Sequence, residues 1–145
     1  MRHAPGSTRP YYVDDAGAAA LEFAILTPVF LLLTTGMIAY AIYFGAAHSV
    51  QQLAADAART SIAGLTATER NSLVTNFISN NASGYVLIDP QHLSSTVASS
   101  VNDPSEYSVT LTYDASSLPI WNLYVPLPLP SHTITYSSVI RLGGT

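Results

Sequence analysis

Between Phe23 and Ala47 the sequence reads FAILTPVFLLLTTGMIAYAIYFGAA, a run of 25 residues without one charged side chain. At about 1.5 Å per residue, a helix over this run crosses a hydrocarbon core of about 30 Å. The run exceeds the apolar region of a cleaved secretory signal, about 7–15 residues, and no Ala-x-Ala pattern follows it at cleavage distance. A buried core helix of this length would need more surrounding protein than 145 residues supply. The run therefore predicts a transmembrane helix. Arg2 and Arg9 precede it, and the first basic residue behind it is Arg59. By the positive-inside rule the N-terminus is cytoplasmic and the chain beyond about residue 50 is exported.

Composition removes several function classes. The chain has no lysine, five arginines spread along its length and a net charge of −4. There is thus no basic patch to neutralise phosphates, and direct nucleic-acid binding is not expected. The absence of cysteine rules out disulfides, Cys-based zinc sites, iron–sulfur clusters and thiol nucleophiles. Only 10% of residues are charged and 48% are hydrophobic, which excludes intrinsic disorder. No metal or other cofactor is expected: none of His3, His48, His92 and His132 has another histidine at ligand spacing. No Gly-x-Ser-x-Gly elbow and no phosphate-cradling glycine loop occurs. The sequence reads as non-enzymatic.

The entrance to the apolar run carries the chemistry. Residues 15–23 read DAGAAALEF, placing Glu22 in an apolar surround. A carboxylate at membrane depth is costly and marks a function with a partner; at headgroup level it is an ordinary interfacial residue. Gly17, small residues 18–20, Glu22 at the fifth position after the glycine and a long apolar helix together resemble a type IV prepilin processing site. The stretch GAAALEFAILTPVFLLLTTGMIAYAIYFGAAHSVQQLAADAART narrows this, because it resembles the TadE-like pseudopilins of tight-adherence (Flp) pili. The likeness rests on Gly17, Glu22, Phe23, Pro28 and the Ala-rich stretch Ala54–Arg59.

This resemblance implies a leader, Met1–Gly17, removed by a prepilin peptidase that leaves Ala18 as the new N-terminus. It also implies that Glu22 and Phe23 act in assembly. The implied partners are the peptidase, other pilin or pseudopilin subunits, an inner-membrane assembly platform and membrane lipid. Electrostatics is consistent with this: the ammonium of Ala18 and the carboxylate of Glu22 are each costly in lipid, and pairing between subunits fixes their register. Pro28 removes a helical N–H and bends or loosens the helix locally; an ordinary transmembrane proline does the same without a role in assembly.

Beyond the membrane, Val50, Leu53, Ala54, Ala57, Ala58 and Ser61 recur at helical spacing, so one helix is expected over about 16–63 with Gly64 as its C-cap. Thr66-x-x-Glu69 is a capping box opening a helix over about 67–80. Tyr85–Ile88 is a short apolar run suited to a strand. Asp89–Pro90 forms an N-cap and N1 pair, and Leu93, Val97 and Val101, spaced by four, predict a helix to about Ser100. Tyr107, Val109, Leu111 and Tyr113 alternate with Ser108, Thr110 and Thr112 as a strand. A second strand begins at Thr133 and runs through Ile140. Between them, LPIWNLYVPLPLP (118–130) is too proline-rich for a central strand. It either covers the sheet or presents Trp121, Tyr124, Pro126 and Pro128 to a partner.

The expected fold is thus α+β. A leader over 1–17 precedes a long helix over 18–63, membrane-spanning in its first half. An exported domain over 64–145 follows, with short helices and a two- to three-stranded antiparallel sheet. Two functions fit: a pilin-like structural protein of a Tad/Flp-type pilus, or a permanently anchored envelope protein whose exported domain binds a ligand or protein.

Overall fold

The structure, a computed structural model, describes residues 15–99, 105–123 and 128–141, with side chains from Gly17 onward. Helix α1 spans Asp15–Thr60 and ends in a 3-10 turn, Ser61–Ala63. Helix α2 spans Ala67–Asn81. Three strands follow: β1 (Leu93–Ser99), β2 (Glu106–Asp114) and β3 (Thr133–Arg141). They form one antiparallel sheet in the order β1-β2-β3, so β2 is central and sequential strands are neighbours. The class is α+β. The chain divides into two compact units, the first ending at Thr34 and the second beginning at Thr35.

In the first unit α1 is apolar and uncovered. Leu21, Phe23, Ile25, Leu26, Val29, Phe30, Leu31 and Leu33 are all exposed. Among the described residues this is the one helix long and apolar enough to cross a membrane, with a mean hydropathy of 2.0 over its most apolar window. Water would penalise so much uncovered hydrocarbon, and lipid would not.

In the second unit the rest of α1 buries one stripe: Ala39, Ala46, Ala47, Val50, Leu53, Ala54, Ala57 and Ala58. The steps of three and four keep these side chains on one face. Six alanines and Gly36, also buried, let neighbouring elements approach closely. The inner face of β2 supplies Tyr107, Val109, Leu111 and Tyr113, all buried, while the intervening residues are only partly so. Ile134 from β3 and Val74 from α2 complete the core. Full burial of each branched side chain contributes about 1.5–3 kcal/mol. The buried tyrosines keep their hydroxyls satisfied: Tyr107 donates to Asn71 Oδ1 at 2.9 Å and Tyr113 to the Leu87 carbonyl at 3.1 Å.

The capping box at α2 forms with a shift. Thr66 Oγ1 accepts from Glu69 N at 3.2 Å, and the Glu69 carboxylate reaches Leu65 N, at 2.9 Å, one residue beyond the N-cap. Gly64 is extended rather than left-handed. Its role is steric: a Cβ there would lie 2.7 Å from Arg70 Cγ and 2.8 Å from Arg70 N.

Two expectations are overturned. Leu93–Ser99 is strand β1, not a helix. Asp89 does cap, its side chain accepting from Gln91 N at 3.0 Å, but the turn it caps ends at His92. A spacing of four fits a strand as well as a helix, since it is twice the strand period. Pairing decides: Leu93 faces Tyr113 and Val97 faces Val109. Tyr85–Ile88 is a turn rather than a strand, with Leu87 left-handed at φ 64°. Val101 lies outside the described residues. The proline-rich stretch does cover the core in its first part, where Leu118 and Ile120 are buried.

Candidate processing and assembly site

Small residues open the site. Gly17 lies inside the first turns of α1 and is exposed, and apart from its chain neighbours and the backbone of its own helix no atom of the described residues lies within 4 Å of the place a Cβ would occupy. Ala18, Ala19 and Ala20 are exposed as well. The leader residues 1–14 lie outside the described residues.

Glu22 and Phe23 follow one turn later, both exposed. The Glu22 carboxylate has no hydrogen-bond or ion-pair partner among the described residues. It stands directly before the apolar surface of Phe23, Leu26 and Phe30. Phe23, Leu26, Thr27, Phe30 and Leu31 line one open apolar groove along the helix. Their steps of three and one are those of a packing stripe, the pattern one helix offers to another.

Pro28 lies within α1, which continues through it. Its missing N–H leaves the carbonyl of Ala24 without its helical donor. Just before it, Thr27 Oγ1 donates to the Phe23 carbonyl at 2.6 Å, and one heptad on Thr34 Oγ1 donates to the Phe30 carbonyl at 2.8 Å. Such back-bonds satisfy a hydroxyl in an apolar medium and tend to bend a helix. Sequence reading singled out Pro28 and passed over Thr27. The pattern was there to be read, a threonine next to a proline in an otherwise apolar run.

The second group of proposed contact residues falls elsewhere. Trp121 is half-buried, donates Nε1–H to the Ala115 carbonyl at 2.6 Å and stacks on His132 with ring centroids 3.8 Å apart. Pro128 is exposed, and its carbonyl accepts from the Tyr40 hydroxyl. Tyr124 and Pro126 lie outside the described residues. The structure therefore brings Gly17, Ala18, Glu22, Phe23 and Pro28 onto one helix segment and leaves Trp121 as part of the sheet's cover.

Ionic groups cluster on the distal half of α1. Asp56 Oδ1 pairs with Arg59 at 2.7 Å, and Asp56 Oδ2 accepts from the Tyr85 hydroxyl at 2.7 Å. Burial and then the Asp56 carboxylate push the Tyr85 phenol up to about 12. Burial also raises Tyr107, against the Arg70 guanidinium 5.8 Å from its ring centroid. No group of three or more His, Cys, Asp or Glu side chains able to hold a metal occurs among the described residues.

Comparison with known proteins adds one match. Residues 17–59 fit the family model described as TadE-like protein. The match begins at Gly17 and ends at Arg59, so it takes in Glu22, Phe23, Pro28 and the alanine stripe but not the sheet. No curated protein and no solved structure matches the chain.

Proposed function

We propose that this chain, TadE-like over residues 17–59, is a pilin-like structural protein that a prepilin peptidase cuts after Gly17 and that acts in assembly or initiation of a Tad/Flp-type pilus. The observation that carries the reading is the register of Gly17 and Glu22 at the mouth of an uncovered apolar helix, inside the matched segment. Cleavage gives Ala18 a free ammonium. In a bundle of such helices that ammonium pairs with Glu22 of a neighbour, because neither charge is tolerated alone in lipid. The groove along Phe23, Leu26, Thr27, Phe30 and Leu31 takes an apolar ridge of the adjoining subunit. Pro28 gives the helix a soft point as it leaves the bilayer.

The partners in this reading are the peptidase, other pilin or pseudopilin subunits and an inner-membrane assembly platform. The N-terminus is cytoplasmic and the sheet-bearing part is exported, following the arginine asymmetry. The chain performs no chemistry itself. The competing reading is a permanently anchored envelope protein with a ligand- or protein-binding exported part. A receptor has no need of Gly17 and Glu22 in this register.

Intact mass and N-terminal sequencing of the membrane-extracted protein, from cells with and without the cognate prepilin peptidase, separate the two. A mature chain beginning at Ala18 only when the peptidase is present supports the pilin-like route. A chain that keeps its leader in both cells overturns it.

A further inference from the structure

The apolar run is longer than a bilayer requires, and other parts of the chain are attached to its surplus end. A hydrocarbon core takes about 20 helical residues. Counting Phe23 as the first, Ile42 is the twentieth, Tyr40 the eighteenth and Gly45 the twenty-third. Tyr40 thus falls at the edge of the hydrocarbon, and Gly45 in the headgroup zone.

Two segments of the second unit meet α1 at these levels. Pro128 accepts the Tyr40 hydroxyl on its carbonyl, and Leu129 packs against the core that includes Ala39. The turn Tyr85–Ile88 meets Gly45, where a Cβ would lie 3.2 Å from Leu87 Cδ1. Residues 40 and 45 are five apart, about 140° around a helix, so the two segments meet different faces.

Both segments present apolar groups outward. Val86 is 71% exposed and Leu87 38%. Leu87 holds a left-handed backbone, costly for a branched side chain, and Tyr113 fixes it through the Leu87 carbonyl. On α1 itself Met37, Ile38 and Phe44 are exposed as well. Tyr40, Tyr43 and Phe44 form an aromatic group there, with centroids 6.0 and 6.1 Å apart. Aromatic rings favour the membrane–water interface. Pro128 and Pro130 have no N–H to satisfy, and the Pro128 carbonyl has its donor in the Tyr40 hydroxyl.

We propose that Val86–Leu87 and Pro128–Pro130 form an apolar collar that rests in the lipid interface at the C-terminal end of the membrane span, seating the sheet-bearing unit on the bilayer. Its occupant is the phospholipid interface itself. The proposal rests on α1 spanning a membrane.

The chain has no cysteine, so single-cysteine variants of the full chain report one position each. Val86→Cys, Pro128→Cys, Phe30→Cys and Thr68→Cys would be labelled with an environment-sensitive NBD probe. Each would be reconstituted into phosphatidylethanolamine/phosphatidylglycerol vesicles. Quenching by doxyl-labelled lipid is compared with quenching by aqueous iodide. Labels at 86 and 128 are expected to lose emission to shallow doxyl lipid and to resist iodide, while position 68 shows the reverse. Iodide quenching at either 86 or 128, with position 30 quenched by lipid, overturns the collar and leaves the span intact. Iodide quenching at position 30 removes the span and the collar with it.

Discussion

Tyr85 donates its hydroxyl to Asp56 Oδ2 at 2.7 Å across 29 residues of sequence, tying the turn after α2 to the distal half of α1. Asp56 is held from its other oxygen by Arg59. The phenol is thus an anchor for the turn that carries Val86 and Leu87.

Tyr85→Phe should cost about 1 kcal/mol, the worth of one hydrogen bond to a partly exposed carboxylate. The pH dependence has a definite sign. The fold favours the neutral phenol, so its contribution is complete below pH 10 and fades as pH rises toward about 12. Urea unfolding between pH 8 and 12 should show the wild type losing this increment while Tyr85→Phe shows a shallower decline. Parallel pH curves would contradict the role given to Tyr85.

Asp114 accepts from Ser116 N at 3.0 Å, and these bonds to Ser116 hold its carboxyl below the ordinary carboxylate range. Its stabilisation is present above that range and is lost as pH falls through the lowered value. Asp114→Asn should therefore flatten the acid limb of the same unfolding curve. An unchanged acid limb counts against the contact.

Gly64→Ala should destabilise by about 1–3 kcal/mol, because the new methyl overlaps Arg70. Adding Arg70→Ala should recover little, since the backbone nitrogen of residue 70 is as close as the side chain. Thermal melts of the single and double variants decide this. Full recovery in the double variant would place the clash in the side chain alone.

Ala57→Leu should destabilise by about 1–3 kcal/mol, as Ala57 is fully buried in the stripe where α1 meets the core. Ile62→Ser, at an exposed position five residues on, should change stability by about 0.5 kcal/mol or less. Equal effects in chemical denaturation would show that the alanine stripe is not closely packed.

Glu22→Ala should leave membrane insertion and cleavage after Gly17 in place and abolish incorporation into pili. Gly17→Leu should instead leave the longer precursor. Immunoblots of membrane and sheared-pilus fractions read both. Normal piliation in Glu22→Ala would remove the pairing with Ala18 from the mechanism.

What the sequence determined by itself is the part of the molecule governed by one dominant local signal. An uncharged run of 25 residues has few options, so α1 was legible nearly to its ends. The alternation from Tyr107 to Tyr113 likewise gave β2 and its buried face, because period two over seven residues fits no helix. Gly17, Glu22 and Pro28 were legible because they interrupt an apolar context. Where the local signal was degenerate, the tertiary structure decided. Leu93 and Val97 satisfy helix and strand alike, and β1 exists because the open edge of β2 offered hydrogen bonds. The apolar Tyr85–Ile88 run has strand composition, yet Tyr113, Asp56 and the close approach to Gly45 hold it as a turn. Gly64 was legible as a helix end but not for its reason, which is the proximity of Arg70 six residues later. In each case the deciding contact joins residues distant in the chain or folded back on themselves, and only the packed core brings such partners within reach.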